Sequence, residues 1–144
     1  MQTETFKRVE FLEQTLSRMP TALKIRLAAL GSSGHRSILI RDANQQVARA
    51  VVRSPCIRES EIKQYSRFRS LSKAVVRDMA LSPVWTKHYT VKLNLVQHPQ
   101  CPRDISLRFL EHLKTEDVQT LIGSKKVPRA ISKAAKRLKA KRLG

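Results

Sequence analysis

One nine-residue phrase constrains this chain more than any other feature. It reads "VARAVVRSP" at 47–55, "VVRDMALSP" at 75–83 and "VKLNLVQHP" at 91–99. Each copy opens on Val, carries an apolar residue four positions on (Val51, Met79, Leu95) and closes on Pro eight positions on. Residues i and i+4 share one face of an α-helix, a turn apart. Proline lacks an N–H, and its ring disfavours helical geometry in the residue before it. The phrase therefore predicts a short helix, buried along one face and ended abruptly. Fainter copies stopped by glycine lie at 25–33, "IRLAALGSS", and at 118–126, "VQTLIGSKK".

A second phrase marks helix starts. "MPTAL" (19–23), "LSKAV" (71–75), "CPRDI" (101–105) and "VPRAI" (127–131) each place an apolar residue, then Pro or Ser, two small or polar residues, and an apolar residue. Proline suits the first helical turn, where its missing N–H would be unpaired anyway. Elsewhere apolar residues recur at helical spacing. Phe6, Val9, Leu12 and Leu16 outline a first helix ending near Pro20, and Leu23, Ile25, Leu27 and Leu30 a second ending at the "GSSG" turn of 31–34. A brief segment, Ile38–Ile40, precedes "RDAN", where Asp42 or Asn44 can cap the helix holding Val47. Ile57, Ile62, Tyr65 and Phe68 follow, then segments 72–82, 88–97, 103–113, 116–123 and 129–142. No Asn-Gly or Asp-Gly turn and no sustained period-two run is present. The expected fold class is all-α, made of short helices that are marginal alone and need neighbours.

Starts and stops that alternate along a chain are the mark of stacked helical units. The run "VKLNLVQHPQCPRDISLRFL" at 91–110 joins an apolar helix, a proline stop, a short link and another start. It resembles the α-solenoid repeats of the leucine-rich repeat variant and HEAT-like families. The resemblance implies a small α-solenoid, with 1–124 as the helical repeat domain and 125–144 as a basic C-terminal helix packed on it at its start. An irregular helical bundle is the alternative. Some variant-family proteins carry an iron–sulfur cluster on an added cysteine-rich segment, and this chain departs from them, having only Cys56 and Cys101.

Charge speaks about partners. The chain holds 29 Lys and Arg against 11 Asp and Glu, a net +18, a field that favours polyanions. Half of that surplus lies after residue 117, where nine basic residues meet no acidic one: Lys125, Lys126, Arg129, Lys133, Lys136, Arg137, Lys139, Lys141 and Arg142. Pro128 can open a helix with the apolar stripe Ile131, Ala134, Ala135 and Leu138. Neighbouring cations such as Lys133, Arg137 and Lys141 repel by a few tenths of a kcal/mol. Bound phosphates reverse that sign and release condensed counterions. Arg49 with Arg53, and Lys73 with Arg77, each one turn apart, are further candidate phosphate contacts. Trp85 and Tyr89, in "VWTKHY", are the aromatic residues offered for base stacking. Tyr65 and Phe68 in "KQYSRFRS" read as core residues first.

Other chemistries find little support. Two cysteines make neither a disulfide framework nor a metal set, and free buried thiols in a reducing compartment are expected. His98 and Cys101 flank Pro99 but lack two more zinc ligands. No glycine-rich phosphate loop or Ser-His-Asp arrangement can be argued, and Asp78, Asp104 and Glu111 read as caps and charge partners. A base-excision enzyme resembling the helical-repeat alkylpurine glycosylases would need an Asp and aromatic residues in a basic cleft. Asp78 and Trp85 are the sole pair near enough in sequence. The expectation is a nonenzymatic protein without cofactor or metal. Its expected partner is nucleic acid, RNA or a ribonucleoprotein surface before DNA, with an acidic protein as the alternative. No run approaches the ~20 apolar residues of a membrane span, and the first residues carry acids where an export signal needs a basic-then-apolar run, so a cytoplasmic location is expected.

Overall fold

A computed structural model describes residues 2–144, the side chains of Gln2 and Phe6 excepted. Phe6, read above as part of the first apolar face, thus has its side chain outside the described residues. Among those described, 70% are helical and none lies in a strand, as the patterning requires. The helices are α1 (Gln2–Ser17), α2 (Thr21–Leu30), α3 (Ser33–Leu39), α4 (Gln45–Val52), α5 (Glu59–Tyr65), α6 (Lys73–Ala80), α7 (Pro83–Thr86), α8 (Tyr89–Gln97), α9 (Arg103–Leu110), α10 (Thr115–Ile122) and α11 (Arg129–Leu143). No described helix is long and apolar enough to cross a membrane.

The chain divides into two compact units, one ending at Ile57 and one spanning Arg58–Gly144. In the first, α2 packs on α3 and α4, and α3 on α4. In the second, α8 packs on α5, α6, α7 and α9, while α11 packs on α9 and α10.

The nine-residue phrase does what its spacing demands. Its opening Val is the third residue of α4, α6 and α8 in turn. All six face residues (Val47 and Val51, Val75 and Met79, Val91 and Leu95) are completely buried. Each helix ends two or three residues before its proline, where the ring already disfavours helical backbone: Ser82 and His98 are extended, with ψ of 114° and 128°. The residue before the proline has a second task. Buried Ser54 donates its hydroxyl to the carbonyl of Ala29 (2.6 Å) and accepts from the Cys56 N–H (3.1 Å). Buried His98 does the same with a ring, Nε2 donating to the Phe68 carbonyl (2.7 Å) and Nδ1 accepting from the Gln100 N–H (3.1 Å). Each ties a helix end to a segment distant in sequence.

All four start phrases open helices. Pro20, Pro102 and Pro128 stand one residue earlier than expected, at the N-cap of α2, α9 and α11, with ψ between 131° and 149°. Their fixed φ suits that extended entry as well as it suits the first turn. Ser72 caps α6, its hydroxyl accepting from the Val75 N–H (3.3 Å), and Asn44 caps α4, its side chain accepting from the Gln46 N–H (2.9 Å).

Two local features went unread. Pro83 both follows α6 and opens α7, a single turn too short to show any period. "GSSG" is more than a turn. Gly31 ends α2 where a Cβ would meet the Leu27 carbonyl oxygen at 2.5 Å, so only glycine fits. The next residue, Ser32, then caps α3: its hydroxyl accepts from the His35 N–H (3.2 Å) while His35 Nδ1 accepts from the Ser32 N–H (3.0 Å). This is a capping box with His in the place usually held by Glu or Gln.

Candidate nucleic-acid interface

The second unit concentrates the charge. Arg58–Gly144 holds 20 Lys and Arg against 7 Asp and Glu, a net +13; the first unit holds 9 against 4, a net +5. Five of the seven acids in the second unit sit in first helical turns: Glu59 and Glu61 in α5, Asp104 in α9, Glu116 and Asp117 in α10. There they complement the helix dipole. Glu61, itself buried, accepts from the Arg58 N–H (2.7 Å). Glu59 pairs with Lys63 (2.7 Å) and His88 (3.1 Å), and the hydrogen bond from Lys63 holds its carboxyl below the usual range. Most of the acids thus sit at helix starts, away from α11, which carries none.

α11 sorts the nine terminal cations by their angle around its axis. Ile131 and Ala135 are completely buried, in a core cluster with Val96, Leu110, Leu113, Val118, Leu121 and Val127; Ala134 and Leu138 pack against its edge. Ser132 adds a hydrogen bond to the Leu121 carbonyl (3.0 Å). At about 100° per residue, the opposite side carries Arg129, Lys133, Lys136 and Arg137 within roughly a quarter of the circumference. All four are exposed. Lys139 and Arg142 lie on the packed flank instead. Lys139 reaches the Gln119 side-chain carbonyl, and Arg142 donates to the Glu111 carbonyl (2.9 Å) and the Thr115 hydroxyl (3.2 Å). Lys141 lines a shallow groove against α9, beside Glu111, and Arg137, at the edge of the exposed ridge, borders the same groove. Lys125 and Lys126 are exposed in the link before α11. The stripe expected at 131–138 is therefore real, and it leaves four of the nine cations on one free ridge.

The other candidates stand elsewhere. Lys73 and Arg77 are exposed on α6. Arg49, half-buried in the last turn of α4, and Arg53, its exposed C-cap, belong to the first unit. Tyr89 is built into the second unit. Its hydroxyl donates to the Asp117 carboxylate and accepts from the Lys114 N–H (3.0 Å), and the Lys114 ammonium lies 5.3 Å from its ring centre. Burial, with the Asp117 hydrogen bond next, pushes its phenol above the usual range. The ring's polar end and one face are thus engaged within the protein. Trp85 is half-buried on α7. Tyr65 is a buried core residue, and half-buried Phe68 packs on it, ring centres 5.7 Å apart.

Cys101 is buried, and burial pushes its thiol up to about 12, so it is an unreactive core residue. Cys56, expected to be buried, is exposed. It follows Pro55 just outside the α4 helix, in a link with no apolar periodicity to turn it inward. His98 has both ring nitrogens committed to backbone partners, and burial holds its pKa below the ordinary value. Among the described residues no three His, Cys, Asp or Glu side chains come together as a metal site. Arg67 and Arg69, which sequence reasoning noted in the basic–aromatic alternation of "KQYSRFRS" but did not put among the candidate contacts, are exposed in the turn after α5. No protein-family model, curated protein or solved structure matches this chain.

Proposed function

We propose that this chain is a nonenzymatic nucleic-acid-binding protein on a small helical-repeat scaffold, engaging RNA or a ribonucleoprotein surface in preference to DNA and mainly through phosphates. One observation carries the reading: Arg129, Lys133, Lys136 and Arg137 share the exposed side of α11, a helix without an acid, on a unit of net +13 most of whose acids sit in first helical turns. Such a ridge is an electrostatic footprint for a phosphate chain. The matching burial of the three phrase helices, and the like roles of Ser54 and His98, support the repeat-type scaffold. Titrating labelled single-stranded RNA and DNA against nuclease-treated protein at several salt concentrations tests the function. The expected log–log slope is near −0.7 for each phosphate neutralised on a single strand. Absence of any affinity at low salt refutes it.

The groove between α9 and α11 favours a second reading. It is lined by Leu107, Leu110, Ala134 and Leu138 together with Arg137 and Lys141, two cations against the single carboxylate of Glu111. An acidic amphipathic protein segment matches that pattern. Leu107→Ser, which removes apolar surface without adding charge, is expected to weaken such a partner and to leave nucleic-acid affinity nearly untouched.

A further inference from the structure

The second unit contains a small polar cleft that the α11 ridge does not explain. It has a volume of about 150 Å³ and is lined by Ser66, Arg67, Arg69, Asn94, Gln97 and His98. No carboxylate is among its lining residues. That volume exceeds the ~15 Å³ one water needs and leaves room for a tetrahedral oxyanion.

The walls are held firmly. Asn94 Nδ2 donates to the Lys63 carbonyl (3.2 Å) and the Ser66 hydroxyl (2.9 Å), which pins α8 to the end of α5. His98 pins the same helix to the Phe68 carbonyl (2.7 Å). Arg69 donates to the Lys126 carbonyl, which brings the link before α11 alongside. One guanidinium carries five N–H donors, so Arg69 keeps donors beyond that bond, and Arg67 is exposed at the mouth. Neutral His98 adds a wall without charge. Gln97 Nε2 donates to the Leu93 carbonyl (3.3 Å), and its Oε1 stays available as an acceptor. The cleft thus offers two planar cationic forks with an amide oxygen beside them, on a frame ordered before any ligand arrives. Guanidinium forks match the paired oxygens of a phosphate. An amide oxygen beside them suits a hydroxyl or amino group next to that phosphate.

We infer that this cleft is a phosphate subsite, in which Arg67 and Arg69 grip one phosphate group and Gln97 accepts from the adjoining sugar or base. The inference rests on the nucleic-acid reading for its preferred source, a phosphodiester of a single strand; free phosphate is the other source. Its position beside the α11 link lets a strand pass from the cleft to exposed Lys126.

The test has two arms. In the first, Arg67→Gln and Lys133→Gln are titrated with a labelled single-stranded RNA across a salt series. Arg67→Gln is expected to weaken binding by about five- to ten-fold and to reduce the slope by about 0.7. If it changes neither while Lys133→Gln weakens binding, the subsite is overturned and the ridge reading survives. In the second arm, inorganic phosphate and then a ribonucleoside 5′-monophosphate are titrated into isotope-labelled protein and followed by NMR. Saturable shifts at backbone amides of 66–70 and 97–100, absent in Arg67→Gln, support the site. If the protein binds no nucleic acid at all, the function proposed above fails, and this arm decides for itself: saturable shifts assign the cleft to free phosphate, and their absence overturns it. Arg69→Lys, which keeps charge and surrenders the fork, is expected to reproduce the loss while thermal melting stays near wild type.

Discussion

α8 and α11 abut the same core cluster, yet they use their residues in opposite ways. α8 has nine residues, buries Val91, Leu95 and Val96 completely, and carries a single cation, Lys92. α11 has fifteen residues, buries only Ile131 and Ala135, and carries seven cations. Packed on four other helices, α8 has little surface to spend on charge. Packed on two, α11 has one side left to water, and that side is basic. Stability and charge are thus assigned to different helices, so each should be removable without the other.

Four experiments probe that separation, in decreasing order of effect. Leu95→Ala empties the centre of α8 and is expected to cost about 2–5 kcal/mol, read as a lowered urea midpoint. Converting Arg129, Lys133, Lys136 and Arg137 together to Gln should lower single-stranded RNA affinity by at least about ten-fold at low salt and flatten the salt slope. The urea midpoint should stay put or rise, since neighbouring cations no longer repel. A midpoint collapse in that variant would break the comparison, because the ridge would then be structural.

The third experiment concerns pH. Burial lowers the pKa of His98 in the folded protein, so between that value and about 6.5 the unfolded chain binds the additional proton. Stability is therefore expected to be unaffected by this group above pH 7 and to fall as pH drops from 7 toward 5. Glu59, whose carboxyl is held low, keeps its full contribution throughout that window and loses it only as pH falls below its unfolded value near 4.5, so it adds no slope between 5 and 7. His98→Gln, which keeps a donor for Phe68, should flatten the pH profile between 5 and 7 in urea titrations. A profile unchanged from wild type would place the sensitivity elsewhere. The smallest effect is expected from Arg142→Ala, which removes two exposed hydrogen bonds on the packed flank of α11 and should cost about 0.5–1.5 kcal/mol.

Much of the fold was legible residue by residue. Val47, Val51, Val75, Met79, Val91 and Leu95 read as one buried face because i and i+4 must share a side of any helix. Prolines at 20, 102 and 128 read as starts because φ is fixed and an N–H is missing. α7 was not legible, since one turn has no period, and of α3 only the Ile38–Ile40 end was read, its start hidden because His35 closes the capping box. The candidate interface was half legible. The density of cations after residue 117 is plain in the letters, but Lys139 and Arg142 look no different there from Lys133. Only packing against Gln119, Thr115 and Glu111 separates them. Tyr89 likewise looked like a stacking platform until its partners, 25 and 28 residues away, came into place.

By itself, then, the order of residues determined where helices begin, end and turn their apolar faces, because those choices depend on backbone sterics and neighbours within a turn or two. The tertiary structure alone decided which cations face water, which polar groups close helix ends across the core, and which arginines meet at a cleft. Those outcomes depend on contacts between segments some 20 to 60 residues apart, such as Arg69 with Lys126 and His98 with Phe68, whose sequence separations are 57 and 30.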